Sequence, residues 1–190
     1  EALFEQPLNV LIAGCGTGKH AIQVAKYFSN VQILALDLSA TSLAYAREQA
    51  IRFGINNIQF TQLDLLELTE HNPHFDVIEC SGVMHHSQHP DTMMGNLINQ
   101  LLPDGVIKLG LYSRIARAQV SMFRTENPSV NDVHEARQIV LNDTERYDQI
   151  IASPDFWHTS GVHDLLLNRF ERQYNLIEVQ RLLCQHGCEF

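Results

Sequence analysis

Gly14, Gly16 and Gly18, in Val10-Leu11-Ile12-Ala13-Gly14-Cys15-Gly16-Thr17-Gly18, are the residues whose spacing speaks most directly of chemistry. Glycines let a backbone turn sharply off a strand and approach a ligand with no Cβ in the way. A helix starting just beyond them presents its unpaired N–H groups and the positive end of its dipole to that ligand. Asp37 stands nineteen residues past Gly18, at the end of a second apolar run. A carboxylate there can accept hydrogen bonds from both hydroxyls of a ribose. Asp64, in Gln62-Leu63-Asp64-Leu65, ends a third run and can accept from an adenine amino group, with Leu65 offering a backbone N–H. Each signal has a plainer alternative: a strand-to-helix turn, an Asp capping a helix before Ser39, a solvated loop Asp. Taken together they point to a nucleoside ligand, because ligands of open α/β sheets lie outside the C-terminal ends of the strands.

Spacing narrows the nucleoside. The dinucleotide fingerprint is G-x-G-x-x-G, but here the third glycine arrives one residue early and Lys19 occupies its place. That order disfavours a nicotinamide-dependent oxidoreductase.

The elements that must position these groups alternate from the start. Leu8 to Ala13 reads as a buried parallel strand. Thr17 is expected to cap a helix carrying Ala21, Val24, Ala25 and Phe28 on one face. Val31 to Leu36 is a second strand. Ser39 caps a helix bearing Leu43, Ala46, Ala50 and Phe53, which Gly54 stops. Ile58 to Leu63 and Phe75 to Cys80 follow as strands. Asp91 is expected to cap a helix with Met94, Leu97, Ile98 and Leu101, stopped by Pro103, and Val106 to Tyr112 is a fifth strand. This repetition specifies a doubly wound parallel sheet with right-handed crossovers. Beyond Tyr112 the pattern turns helical. Asn131 is expected to cap one helix, Asn175 and Glu178 form a capping box for another, and Ser153-Pro154 and Ser160-Gly161 read as loops. The expected organisation is a core at 1–112 and a helical cap at 113–190 that shapes an acceptor pocket, with Cys188-Glu189-Phe190 as the first step of a further strand.

Other groups carry weaker signals. His85, His86 and His89 fall within five residues after the fourth strand; structural, proton-accepting and metal-binding roles all fit them, with the structural one favoured. His71 and His74 flank Pro73 in a loop. Arg114 and Arg117 could hold an anionic acceptor, but a solvated basic helix face is the better reading. Phe156 and Trp157 suit either a pocket or a core. Cys184 and Cys188 lie one helical turn apart with no second pair, so metal binding is disfavoured.

The 190 residues are 45% hydrophobic and 18% charged, enough for one domain with a substantial core. A net charge of -9 disfavours a dedicated nucleic-acid binder, although Arg114, Arg117 and Arg124 leave room for a local basic patch. No apolar run approaches the ~20 residues that span a bilayer. Residues 1–5 show no signal peptide, and the missing initiator Met suggests a piece of a longer protein. Four dispersed cysteines fit reduced thiols in a cytoplasm.

The chain resembles the class I S-adenosylmethionine-dependent methyltransferases from Leu8 to Tyr112. The likeness rests on Ala13-Gly14-Cys15-Gly16-Thr17-Gly18, Leu36-Asp37-Leu38-Ser39, Gln62-Leu63-Asp64, Phe75-Asp76-Val77-Ile78-Glu79-Cys80, Val83-Met84-His85-His86 and Leu101-Leu102-Pro103-Asp104-Gly105. It implies S-adenosylmethionine as cofactor and a protein or small molecule as methyl acceptor. It also implies that Ala13, Gly14, Cys15, Gly16 and Gly18 hold the methionine moiety, Asp37 the ribose, and Leu38 the adenine face. Asp64 and Leu65 would read the adenine edge, Cys80 and Ser81 would approach the methionine end, and His85 is the acceptor-side candidate. Asp164-Leu165-Leu166 with Glu171 resembles methyltransferase domains linked to tetratricopeptide repeats. Two departures stand out. Ile12 occupies a position where many relatives carry an acidic residue, and the last two strands of the family's seven are expected to be missing, which would leave the fifth strand an exposed edge or covered by a partner. The alternative function is a non-catalytic adenosyl-ligand module.

Overall fold

The computed structural model describes residues 6–68, 74–168 and 170–189, so His71 and Pro73 lie outside the described residues, as do residues 1–5 and Phe190. Two compact units form: Glu1–Leu111 with Gln180–Phe190, and Tyr112–Val179.

The first unit is built on five parallel strands: β1 (Leu8–Ala13), β2 (Val31–Asp37), β3 (Ile58–Gln62), β4 (Phe75–Ser81) and β5 (Leu101–Gly110). Their order is β3-β2-β1-β4-β5. The strand order therefore reverses between β1 and β4, and a crevice opens at the C-terminal ends of strands flanking such a reversal. This is the expected Rossmann-like doubly wound architecture. Val10 and Ile12 of β1 face a core shared with Ala21, Ile22 and Ala25 of α1 (Lys19–Tyr27) and with Leu43, Ala46 and Ala50 of α2 (Ala40–Arg52). Leu11 and Ile78, which alternate to the opposite face, are also fully buried.

Several boundaries differ from expectation. The cap position of α1 is Gly18, with φ +77° and no side-chain cap, rather than Thr17. The helix α3 (Pro90–Ile98) begins on a proline, whose fixed φ and absent N–H suit the first helical position, so Asp91 lies inside the first turn instead of capping it. Pro103 does not stop that helix; it lies within β5, which starts at Leu101 and ends before Tyr112. A sheet edge needs no outward donor and tolerates proline. Between the pairs Phe75↔Leu101 and Val77↔Val106 the register shifts, and Leu102-Pro103-Asp104-Gly105 fill the irregularity. Ser39 does cap α2, accepting from the Ser42 N–H at 3.1 Å, and Gly54 follows that helix with φ +67°.

The second unit holds α4 (Ala118–Glu126), α5 (Val133–Asn142), α6 (Asp148–Ala152) and α7 (Thr159–Val162), which runs on into a π-type turn at His163–Leu167. Val120, Phe123, Val140, Ile150, Phe156 and Leu166 are among the residues of its own core. Asp132, not Asn131, caps α5, accepting from the Glu135 N–H at 2.9 Å. Ser160-Gly161 is helical rather than a loop, and a Cβ on Gly161 would lie 2.2 Å from the Asp155 carbonyl oxygen, a close approach only glycine allows. The last helix is α8 (Leu176–Gln185). Its capping box is formed as expected: the Asn175 N–H donates to Glu178 at 2.8 Å and the Glu178 N–H to Asn175 Oδ1 at 2.9 Å. Cys188 and Glu189 form no regular strand. Among the described residues no helix is long and apolar enough to cross a membrane.

Candidate functional site

The glycine loop leaves β1 and folds onto the end of β2. The N–H groups of Gly14 and Cys15 both donate to the Leu36 carbonyl at 2.8 Å, and the Gly18 N–H donates to the Cys15 carbonyl at 2.9 Å. Asp37 completes this attachment: its Oδ2 accepts from the Gly16 N–H at 2.7 Å and its Oδ1 from the Ser39 N–H at 2.9 Å. The carboxylate is thus aimed at the loop. Leu38, the next residue, leaves an apolar side chain 64% exposed, open to cover by a flat apolar surface.

The three glycines have different physical reasons. All have positive φ. A Cβ on Gly14 would lie 2.0 Å from Val83 Cγ2, and one on Gly18 2.6 Å from the Ala46 Cβ, so both sit where other parts of the fold press close. At Gly16 nothing lies within 4 Å of the same position, which leaves open space beside a backbone that a ligand can approach. Gly16→Ala should therefore reduce stability by only about 1–2 kcal/mol, the strain of a left-handed residue with a Cβ. Gly14→Ala should add about 1–3 kcal/mol of overpacking to that strain. Denaturant unfolding of the two variants checks the order, which equal losses would contradict.

Asp64 follows β3 and caps the 3₁₀ turn Leu65–Glu67, its Oδ1 accepting from the Leu66 N–H at 2.9 Å. Leu65 is buried, and Asn96 of α3 donates to the carbonyls of both Leu65 and Leu66 at 3.0 Å. The Leu63 N–H donates to the Asp37 carbonyl at 3.2 Å, so the ends of β2 and β3 are joined. At the end of β4, Cys80 is fully buried and Ser81 exposed. Burial pushes the Cys80 thiol up to about 11; burial first, and then the Asp37 charge, do the same for Cys15. Both shifts favour the protonated thiol over the thiolate. The structure thus gathers Ala13–Gly18, Asp37 and Leu38 around the loop and sets Asp64 at the adjoining strand end.

The histidines are less open. His85 is 1% exposed, in the 3₁₀ turn Met84–His86, with its ring edge against His86 at a centroid distance of 4.3 Å. Among the described residues no group of three or more His, Cys, Asp or Glu is arranged to hold a metal ion.

The three arginines are each paired with a carboxylate. Arg117 pairs with Glu171 and stacks 3.8 Å above the Tyr112 ring, and Arg124 pairs with Glu171 at 3.1 Å. Arg114 takes Glu178 at 2.8 Å. Their carboxylate partners are 47 to 64 residues away in sequence, beyond the reach of any local pattern. Phe156 is core, whereas Trp157 is 60% exposed and donates its ring N–H to the Ile151 carbonyl at 3.2 Å.

Glu79 carries no motif of its own in the sequence. Its Oε2 bonds His20 Nε2 of α1, and its Oε1 lies 3.3 Å from Lys108 Nζ of β5. A carboxylate near the end of the apolar run of β4 was the available signal.

Comparison with known proteins decides what this loop belongs to. A family model described as Methyltransferase domain matches residues 5–154. The chain belongs to the methyltransferase-domain family. An uncharacterized protein of a Synechococcus species is 38% identical over 117 residues, covering 61% of this chain and 28% of that protein. The ubiquinone biosynthesis O-methyltransferase of Rickettsia canadensis is 30% identical over 115 residues, covering 60% of this chain and 46% of that one. Among solved structures, PKMT2 from Rickettsia typhi in complex with AdoHcy superposes with a TM-score of 0.77 over 94% of this chain and 38% of that one, at 23% identity, a likeness of fold. The matched regions span about a quarter to a half of these relatives' lengths.

Proposed function

We propose that this methyltransferase domain binds S-adenosylmethionine at the glycine loop and transfers its methyl group to a protein or small-molecule acceptor. The observation that carries the reading is Asp37, whose carboxylate meets the Gly16 N–H at the edge of the open space beside Gly16. Ala13 to Gly18 would hold the amino-acid end, Asp37 the ribose and the exposed Leu38 the adenine face. Asp64 with Leu65 would take the adenine edge, and Ser81 with the backbone at Cys80 the methionine side. When bound, the cofactor supplies a methyl group already activated by its sulfonium. The chain's task is then alignment, and proximity with orientation supplies about 7–11 kcal/mol in favourable cases. A base is needed only for an acceptor that arrives protonated at the reacting atom, and a base must reach that proton. His85, the acceptor-side catalytic candidate, is 1% exposed, so this reading gives it no proton-accepting role.

Asp164 and Glu171, which carry the likeness to domains linked to tetratricopeptide repeats, have tasks within the fold: Asp164 accepts from the Tyr112 hydroxyl at 3.2 Å and Glu171 pairs with two arginines. A cytoplasmic setting belongs to the same reading and rests on four free thiols.

Calorimetry with S-adenosylmethionine, S-adenosylhomocysteine and NAD tests the ligand. Micromolar binding of the adenosyl ligands without NAD is expected; NAD alone binding would overturn the reading. Labelled-methyl transfer to cell extract then separates an active enzyme from an adenosyl-binding module.

A further inference from the structure

A ligand with an amino-acid end brings an ammonium group to the glycine loop, and a cation taken out of water is stabilised by an opposite charge beside it. The segment that forms β1, the loop and the start of α1, Leu8 to His20, contains no acidic residue. At Ile12, two residues before the loop, the side chain is apolar and 4% exposed. In the proposed reading Asp37 takes the ribose, on the other side of β1 from β4.

Strand register supplies the missing group. Ile12 pairs with Glu79 and Ala13 with Cys80. Paired residues of neighbouring strands project from the same face, and Glu79 does reach the α1 face, since it bonds His20 there. His20 is the second residue of α1, immediately beyond the loop. The entrance of the loop is therefore held to β4 by the Ala13↔Cys80 pair, and its exit by His20 on Glu79. The Glu79 side chain is 17% exposed, whereas His20 and Lys108 are 52% and 58% exposed. A carboxylate offers about four lone-pair sites, and one His and one Lys leave capacity for a further donor.

We infer that Glu79 is the residue that receives the ammonium group of the amino-acid end of the adenosyl ligand, supplying from β4 the charge that β1 lacks at Ile12, with His20 and Lys108 holding the carboxylate in place. This rests on the proposed cofactor reading.

The test compares S-adenosylhomocysteine with 5′-methylthioadenosine, which keeps the adenosine but lacks the amino-acid end. Glu79→Gln should raise the dissociation constant for S-adenosylhomocysteine about tenfold, the size expected for one hydrogen bond to a charged group. The dissociation constant for 5′-methylthioadenosine should stay within about twofold, which also shows that the variant is folded. Glu79→Asp, which keeps the charge, should fall between the wild type and Glu79→Gln. Equal weakening of both ligands, or no weakening of either, overturns the assignment of Glu79 while leaving the cofactor reading in place. Wild-type protein that binds neither ligand overturns both.

Discussion

Asp37→Ala is expected to raise the dissociation constant for S-adenosylhomocysteine by about a hundredfold or more. The carboxylate already has two tasks within the fold, accepting from the Gly16 N–H at 2.7 Å and from the Ser39 N–H at 2.9 Å. In the proposed complex it also accepts from the ribose hydroxyls. Hydrogen bonds to charged groups contribute about 1.5–3 kcal/mol each, and losing two at the lower figure already corresponds to about two decades in affinity. Asp37→Asn sharpens the experiment. Its amide keeps the shape but turns one acceptor into a donor, and since each oxygen accepts from a backbone N–H, that donor faces one of them in either orientation, so a loss of about tenfold or more is expected. Calorimetric titration of both variants, with thermal unfolding as a control for folding, checks this. Wild-type affinity in Asp37→Ala would remove the ribose role.

The largest effect on stability is expected from Glu171→Ala, at about 3–5 kcal/mol, because removing one member of a buried ion pair leaves uncompensated charge. The Glu171 side chain is fully covered, and it is shared by Arg117, itself 9% exposed, and Arg124. Gln173 Nε2 adds a hydrogen bond at 3.0 Å. Burial works against ionisation of this carboxyl, but the hydrogen bond and charge of Arg117, with the charge of Arg124 and the Gln173 bond, outweigh it and hold it below the usual carboxylate range. The folded chain therefore holds this proton less tightly than the unfolded one, and the stabilisation is complete above the ordinary carboxyl value of about 4.3. It is lost as pH falls through the lower, folded value. Denaturant unfolding at a series of pH values should show an acid-side decline in the wild type that is shallower in Glu171→Gln. Identical slopes would deny Glu171 a part in it.

Asp37 and Glu171 differ in how far the sequence reveals them. Asp37 is readable directly, because a strand-ending Asp after a glycine loop is a local pattern with a local cause. So are the five strands, the Ser39 cap and the Asn175–Glu178 capping box: each depends on residues within a few positions of one another. Where expectation and structure part, the reason is again physical. Thr17, Asp91 and Asn131 are good capping types, but the cap positions fall at Gly18, at His89 before Pro90, and at Asp132, whose side chain does the capping. Pro103 stops helices in general, yet an irregular edge strand accommodates it. Glu171 carries no such local mark, since Arg117 and Arg124 lie 54 and 47 residues before it.

By itself, then, the order of residues determined the strand-helix alternation, the glycine bend and the carboxylates at successive strand ends, since periodicity and turn chemistry act over short stretches of chain. Only the tertiary structure decided which charges meet. Glu171 held between two arginines is one case, and Glu79 paired with Ile12 and bonded to His20 is the other. Both depend on strand order and helix packing, which bring together groups that no short window of sequence contains.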